Sequence, residues 1–156
     1  MSPTTLTEQS STVSSLNDEA DIRALIESVH KAHHTKNAAA IAAAYTQGAA
    51  IFNLAPPLSH RGVDLEEKKA WLDTWEGPID SESRDLRITV CGDFAFCHGF
   101  YRLSGTPKAA AQPISFWMRA TVCLSRSARG WRIDHEHTSV PFYMDGSLRP
   151  AFDLKP

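Results

Sequence analysis

Thiols are few in this chain. Cys91, Cys97 and Cys123 are odd in number and none stands in a CxxC pair, which argues against a disulfide framework or a thiolate zinc site and leaves three small buried hydrophobes of a reducing compartment. His98 follows Cys97 directly, but neighbours on a strand point to opposite faces, so the two do not make a nucleophile and base. There is no run of eighteen apolar residues, and the amino terminus lacks the basic start and apolar middle of a secretory leader. No membrane partner is expected, and a cytoplasmic location follows. Positive charge is scattered too: the 16 basic residues form no cluster, and a formal net charge of −2 leaves no field for a polyanion, so no nucleic acid is expected. No internal repeat is visible, and nothing calls for a cofactor.

What remains is ordinary globular material. Hydrophobic residues at 42% and charged ones at 22% over 156 residues make one domain with a real core. Residues 1–16, rich in Ser and Thr, read as a flexible arm. A helix is expected from Asn17–Asp18, with Asn17 as cap, to about His34; Ile22, Leu25, Ile26, Val29 and Ala32 form its buried stripe, with His30 and His33 at the margins. Asn37 caps a second, Ala-rich helix through about Tyr45, ended by Gly48. Ala49 to Leu54 is a short strand, stopped by Ala55-Pro56-Pro57. Asp64 and Glu67 open a third helix that ends at Glu76-Gly77-Pro78, with Leu65, Lys68, Trp71, Leu72 and Trp75 on one arc.

From Arg84 the period changes to two. Strands are expected at Arg84–Cys91, Phe94–Ser104, Ile114–Ser127 and Gly130–Val140, joined by turns at Gly92-Asp93 and near Ala128–Gly130. Helices first and strands afterwards imply an α+β domain over residues 17–141, three helices packed on one face of a strongly curved, mainly antiparallel sheet. Residues 142–156 read as an irregular tail.

The last strand carries the most chemistry. Read strictly at period two, Trp131, Ile133, His135, His137 and Ser139 share one face, and Arg132, Asp134, Glu136 and Thr138 the other. A face that begins apolar and ends in two imidazoles can plug a core at one end and line a cavity at the other. His135 and His137 then have three readings: metal ligands, for which His98 is the obvious third group and no acid has matching spacing; proton carriers titrating near working pH; or structural imidazoles bonded to neighbouring strands. No metal is assigned. On the preceding strands the bulkier face, Phe94, Phe96, His98, Phe100 and Arg102, is expected inward, as are Trp117, Arg119 and Thr121. Inside, Arg119 would meet a protein acid or the carboxylate or enolate of a ligand. His30, Tyr45, Asn53, Trp71 and Trp75 complete the wall, Tyr45 and Asn53 offering hydrogen bonds to a carbonyl.

The order helix, helix, short strand, Pro-containing loop, Arg61-Gly62, helix and four long strands closing on WRIDHEHTS resembles the nuclear transport factor 2-like, or cystatin-like, superfamily, nearest its SnoaL-like and ketosteroid isomerase-like small proteins. Trp131–Ser139 also resembles the last strand of the association domain of calcium/calmodulin-dependent kinase. The resemblance, over roughly Asp18 to Val140, implies a cone with an internal pocket at its wide end and a homodimer through the outer sheet face. In ketosteroid isomerases the strand after the second helix carries the base aspartate in a context like V-x-D-P; the matching position here is Asn53, which cannot take a proton.

Function classes stay open at this point. The first is an enzyme, an isomerase, dehydratase or cyclase, acting without a metal on a small apolar carbonyl or cyclic compound, with His135 or His137 as acid or base and Arg119, Tyr45 or Asn53 orienting an oxygen. The second is a non-catalytic ligand-binding or assembly module; the third is a dimerisation domain whose pocket is a packing remnant.

Overall fold

Between Thr5 and Gln47 there is no proline or glycine to interrupt a helix, and the first helix continues accordingly. The structure is a computed structural model describing residues 5–110 and 112–156, with side chains described from Asn17 onward. Helix α1 spans Thr5–His34, so it starts well before the expected cap. Asn17 is an exposed residue within it, because a capping side chain sets a start only where the preceding chain leaves the helix. Of the expected arm, residues 1–4 lie outside the described residues. Of the expected stripe Ile22, Ile26, Val29 and Ala32 are buried in the core, and Leu25 packs half-buried against it.

Asp18 has a different task from opening a helix. Only 7% exposed, it accepts from Trp131 Nε1 at 3.2 Å and from the Arg126 guanidinium, while Arg126 also donates to Asp93 at 3.1 Å. A buried carboxylate persists because those donors replace its water. They tie α1 to the closed end of the sheet.

Lys36, at φ 53°, ends α1: its N–H bonds His33 O at 3.0 Å and that of Asn37 bonds Ala32 O at 2.8 Å, the paired bonds of a left-handed helix stop. Asn37 then caps α2 (Ala38–Ala43), accepting from Ala40 N at 3.0 Å. The second helix is shorter than expected; Tyr45 already lies in β1 (Tyr45–Phe52). After β2 (His60–Arg61), Asp64 caps α3 (Leu65–Asp73) by accepting from Glu67 N at 2.8 Å. β3 (Trp75–Cys91) begins where the third helix was expected to finish, nine residues before the expected strand start at Arg84.

β4 (Phe94–Pro107), β5 (Ile114–Ser127) and β6 (Gly130–Ser139) complete a six-stranded sheet ordered β2-β1-β6-β5-β4-β3. All neighbours are antiparallel except β1 beside β6. The sheet curves and stays open, with the helices on its inner side. Gly99 permits part of the curvature: opposite it β3 bulges between Arg84 and Arg87, with Asp85 at φ 53°, and a Cβ on Gly99 would stand 2.9 Å from Arg84 O.

One further bulge decides which side chains face inward. β5 pairs Leu124 with Ile133 but Cys123 with His135, so Asp134 is an extra residue in β6. Strict alternation fails there, because an inserted residue shifts the phase of everything after it. Trp131 and Ile133 are inward and buried. Beyond the bulge Glu136 pairs with buried Val122 and Thr138 with buried Ala120, while His135 and His137 pair with Cys123 and Thr121 on the outer face.

The inner faces of β4 and β5 also correct the reading by bulk. Ala95, Cys97 and Tyr101 of β4 and Phe116, Ala120, Val122 and Leu124 of β5 are buried. Phe94, Phe96, His98, Trp117, Arg119 and Thr121 therefore lie outward, and all but Trp117 are exposed. Small side chains are inward because a helix lies across that side. Bulk alone is a poor guide when both faces of a strand are apolar.

Candidate functional site

A cavity of about 440 Å³ lies between α1, α3 and the inner face of the sheet, with Asn53, Leu54, Ala55 and Pro56 among its lining residues. Its walls are mainly apolar, including Val29, Ile41, Ile51 and Met118. Trp71 and Trp75 meet edge to face, ring centres 5.7 Å apart. Such a hollow with a few polar groups has the form of a small-molecule site. A more open cleft of equal volume, lined by Arg61 and Arg132 among others, adjoins it and shares Tyr45, Gly62, Val63 and Asp64 with it.

Glu136 and Tyr45 are the central polar pair. The bulge at Asp134 turns Glu136 inward, and the Tyr45 hydroxyl, on a residue 7% exposed, donates to its Oε2 at 2.8 Å. Burial pushes the Glu136 carboxyl above its ordinary range; the Tyr45 bond and the charges of Lys68 and His135 offset only part of this. Burial, with Glu136 beside it, holds the Tyr45 phenol well above its usual value. The tyrosine stays a donor at any working pH. A carboxyl with a greater affinity for protons than a surface acid, hence a stronger base as carboxylate, beside a fixed O–H donor, suits proton transfer.

Two histidines of α1 also line the hollow. His33 Nδ1 donates to Val29 O at 2.9 Å, which leaves Nε2 with a lone pair. His30 Nδ1 bonds the Ser81 hydroxyl at 2.7 Å, and its ring meets Tyr101 edge to face at 4.9 Å. Burial lowers both to about 4, with Lys68 adding to the effect at His33. Both are neutral at pH 7. His30 Nε2 and Trp75 Nε1 are buried without a hydrogen-bond partner among the described residues, polar atoms of the kind a ligand can satisfy. Lys68 lies over Trp71, its Nζ 4.9 Å from the ring centre.

His30, Tyr45, Asn53, Trp71 and Trp75 stand in the lining; Arg102 borders the cavity, but its guanidinium is turned to the outer face, on Glu82 at 2.9 Å. His135, His137, His98, Trp117, Arg119 and Thr121 do not line it. His135 Nδ1 donates to Ala50 O at 2.7 Å across to β1, and Phe52 packs edge-on against both imidazoles. Arg119 bonds Ser139 Oγ at 3.1 Å, and Trp117 lies beneath the guanidinium of Arg102. His98 and His137 both flank Thr121, two strand spacings or about 10 Å apart. Among the described residues no group of three or more His, Cys, Asp or Glu could hold a metal ion.

Sequence reasoning missed Glu136, Thr138, His33, Lys68 and Tyr101. Lys68 and His33 carried a signal, since Lys68 shares the helical arc of the tryptophans and His33 the margin of the α1 stripe. Glu136 carried none, because its place depends on an inserted residue that no residue type marks.

A family model described as SnoaL-like domain matches residues 22–143. An NTF2-like protein of unknown function from Pseudomonas putida KT2440 is 30% identical, with 91% of this chain and 99% of that one covered and a TM-score of 0.79. A ketosteroid isomerase-like protein from Erwinia carotovora atroseptica is 21% identical over 77% of this chain and 93% of that one, TM-score 0.62. An NTF2-like protein with a cystatin-like fold from Novosphingobium aromaticivorans is 17% identical over 94% of each chain, TM-score 0.70. The last two are likenesses of fold. No curated protein matches the sequence.

Proposed function

The chain belongs to the SnoaL-like domain family, and from that premise we propose that its cavity takes a small, largely apolar carbonyl or cyclic compound and moves a proton on it. The observation that carries this reading is the Tyr45–Glu136 pair, a carboxyl of raised affinity for protons inside an apolar hollow. Glu136 is the acid or base. As carboxylate it withdraws a proton from the carbon beside a carbonyl, and as acid it returns one elsewhere, which covers isomerisation, dehydration and cyclisation. Tyr45 steadies the charge on the carboxylate or on the substrate oxygen. Neutral His30 and His33 and the indole of Trp75 orient polar atoms of the ligand. The reading uses no metal.

Exchange of the α-protons of 2-tetralone in D2O, followed by proton NMR, tests it. The protein should accelerate exchange over buffer, and Glu136→Gln should remove a factor of about 10²–10⁴, the usual worth of a positioned acid or base. Tight binding of the ketone without acceleration would favour a ligand-binding module instead.

The outer sheet face suits a second copy of the chain. Phe94 is 67% and Phe96 47% exposed, large apolar groups whose burial between subunits removes them from water. Sedimentation should give a dimer, and Phe96→Glu a monomer with its cavity intact.

A further inference from the structure

We propose that Lys68 is an amine nucleophile that captures the carbonyl group of the cavity's ligand as an imine. The inference rests on the cavity reading above but adds a covalent step to it. Lys68 is the one lysine in the cavity wall among the described residues, on the arc of α3 that also presents Trp71. Other lysines near this site are engaged: Lys69 Nζ lies 2.8 Å from Glu66 Oε1, and Lys36 Nζ donates to Trp75 O at 2.6 Å. Lys68 has neither a carboxylate within 4.0 Å nor a hydrogen-bond acceptor among the described residues, and its Nζ lies over the face of Trp71.

The groups around it fit the role. Glu136 of β6 approaches from the sheet, Tyr45 of β1 holds Glu136, and His33 of α1 offers a lone pair; Asp64 and Glu67 lie on or beside its own helix, with His60 of β2 4.0 Å from Glu67. Burial lowers the ammonium's pKa, and Glu136 opposes that only in part. More free amine is therefore present than on a surface lysine at the same pH.

The step balances without an outside oxidant. The Nζ lone pair attacks the carbonyl carbon, the C–N bond forms, and the π pair moves to oxygen, which takes a proton from the Glu136 carboxyl. The resulting carboxylate accepts a proton from nitrogen. The oxygen then leaves as water when it is protonated again, and the C=N bond closes. The iminium draws electrons from the adjacent carbon, so the proton there becomes easier for Glu136 to remove; addition of water returns amine and carbonyl. The substrate class is accordingly an unhindered aldehyde or ketone on an apolar or aromatic frame.

Benzaldehyde, which has no α-proton, separates capture from proton transfer. The full chain is incubated with benzaldehyde and sodium cyanoborohydride at pH 6.5, and benzylated lysines are located by peptide mass spectrometry, with tryptophan fluorescence recording binding. At limiting reagent Lys68 should carry most of the label, ahead of Lys69 and Lys108, because the hollow holds the aldehyde beside its amine and burial leaves more of that amine free. Lys68→Met should lose that adduct and still bind benzyl alcohol, which shows the hollow intact. Binding of benzaldehyde with Lys68 modified no faster than Lys69 would overturn the imine and leave the cavity reading standing. Absence of both binding and modification would overturn the two together.

Discussion

The Tyr45 hydroxyl donates to the Glu136 carboxyl across 2.8 Å, joining the first strand to the last inside the cavity. The same contact satisfies a buried carboxyl and favours its charged form, so its loss should be read both in stability and in the titration of Glu136.

Replacing Tyr45 by Phe removes the donor and leaves the carboxyl in its apolar surroundings. The expected cost is about 1–3 kcal/mol of stability, the penalty of an unpaired buried polar group. The Glu136 pKa should rise further, because the bond that favours its charged form is gone. Urea unfolding reads the first effect and carboxyl NMR of selectively labelled Glu the second.

His30 and His33 fix the behaviour in acid. Their folded pKa values, about 4, lie below the ordinary 6.5, so as pH falls from 6.5 towards 4 the unfolded chain takes up protons that the native one refuses. Stability is retained above pH 6.5 and lost through that window, by up to about 1.4 kcal/mol per pH unit for each ring. Glu136 acts in the opposite sense: its raised pKa favours the fold in acid, and that contribution disappears as pH rises through its folded value. Unfolding midpoints between pH 7 and 4 should show a net loss in acid that His33→Gln lessens.

Asp18 should matter more than its place on a surface helix suggests. Asp18→Ala leaves Trp131 Nε1 and one arm of Arg126 without their acceptor, an expected loss of about 2–4 kcal/mol. His137→Ala, on the exposed outer face, should change stability by less than about 0.5 kcal/mol and leave ketone binding unaltered. Thermal and urea melts of the two variants side by side check both.

Much of the fold is legible in the residues. Ile22 to Ala32 at helical spacing, the caps Asn37 and Asp64, and the turn at Gly92-Asp93 each act locally, so their signals survive without knowledge of the rest. Of the wall residues, Trp71 follows from the arc of α3, whereas Tyr45 and Trp75 reach the wall from the first residues of β1 and β3, where helix was expected. The side each strand presents does not. Period two puts His135 in phase with Ile133, and only pairing with β5 reveals Asp134 as an insertion that turns Glu136 inward in its place. Likewise the Phe94–Arg102 face outweighs the Ala95–Leu103 face in bulk, yet the nearness of α1 and the β3 bulge against Gly99 select the smaller one. Such choices belong to contacts between distant segments, which composition and spacing along one segment do not encode.

Four tryptophans divide the molecule into regions: Trp71 and Trp75 in the cavity wall, Trp117 on the outer face, Trp131 at the closed end. Titration of the 15N-labelled chain with 2-tetralone, watching the four indole N–H signals, asks directly where a ligand goes. The Trp71 and Trp75 signals should move, Trp75 most because its Nε1 has no partner to lose, while Trp117 and Trp131 stay in place. Movement of Trp117 with Trp71 and Trp75 unchanged would put the ligand on the outer face beside His135 and His137 and contradict the account.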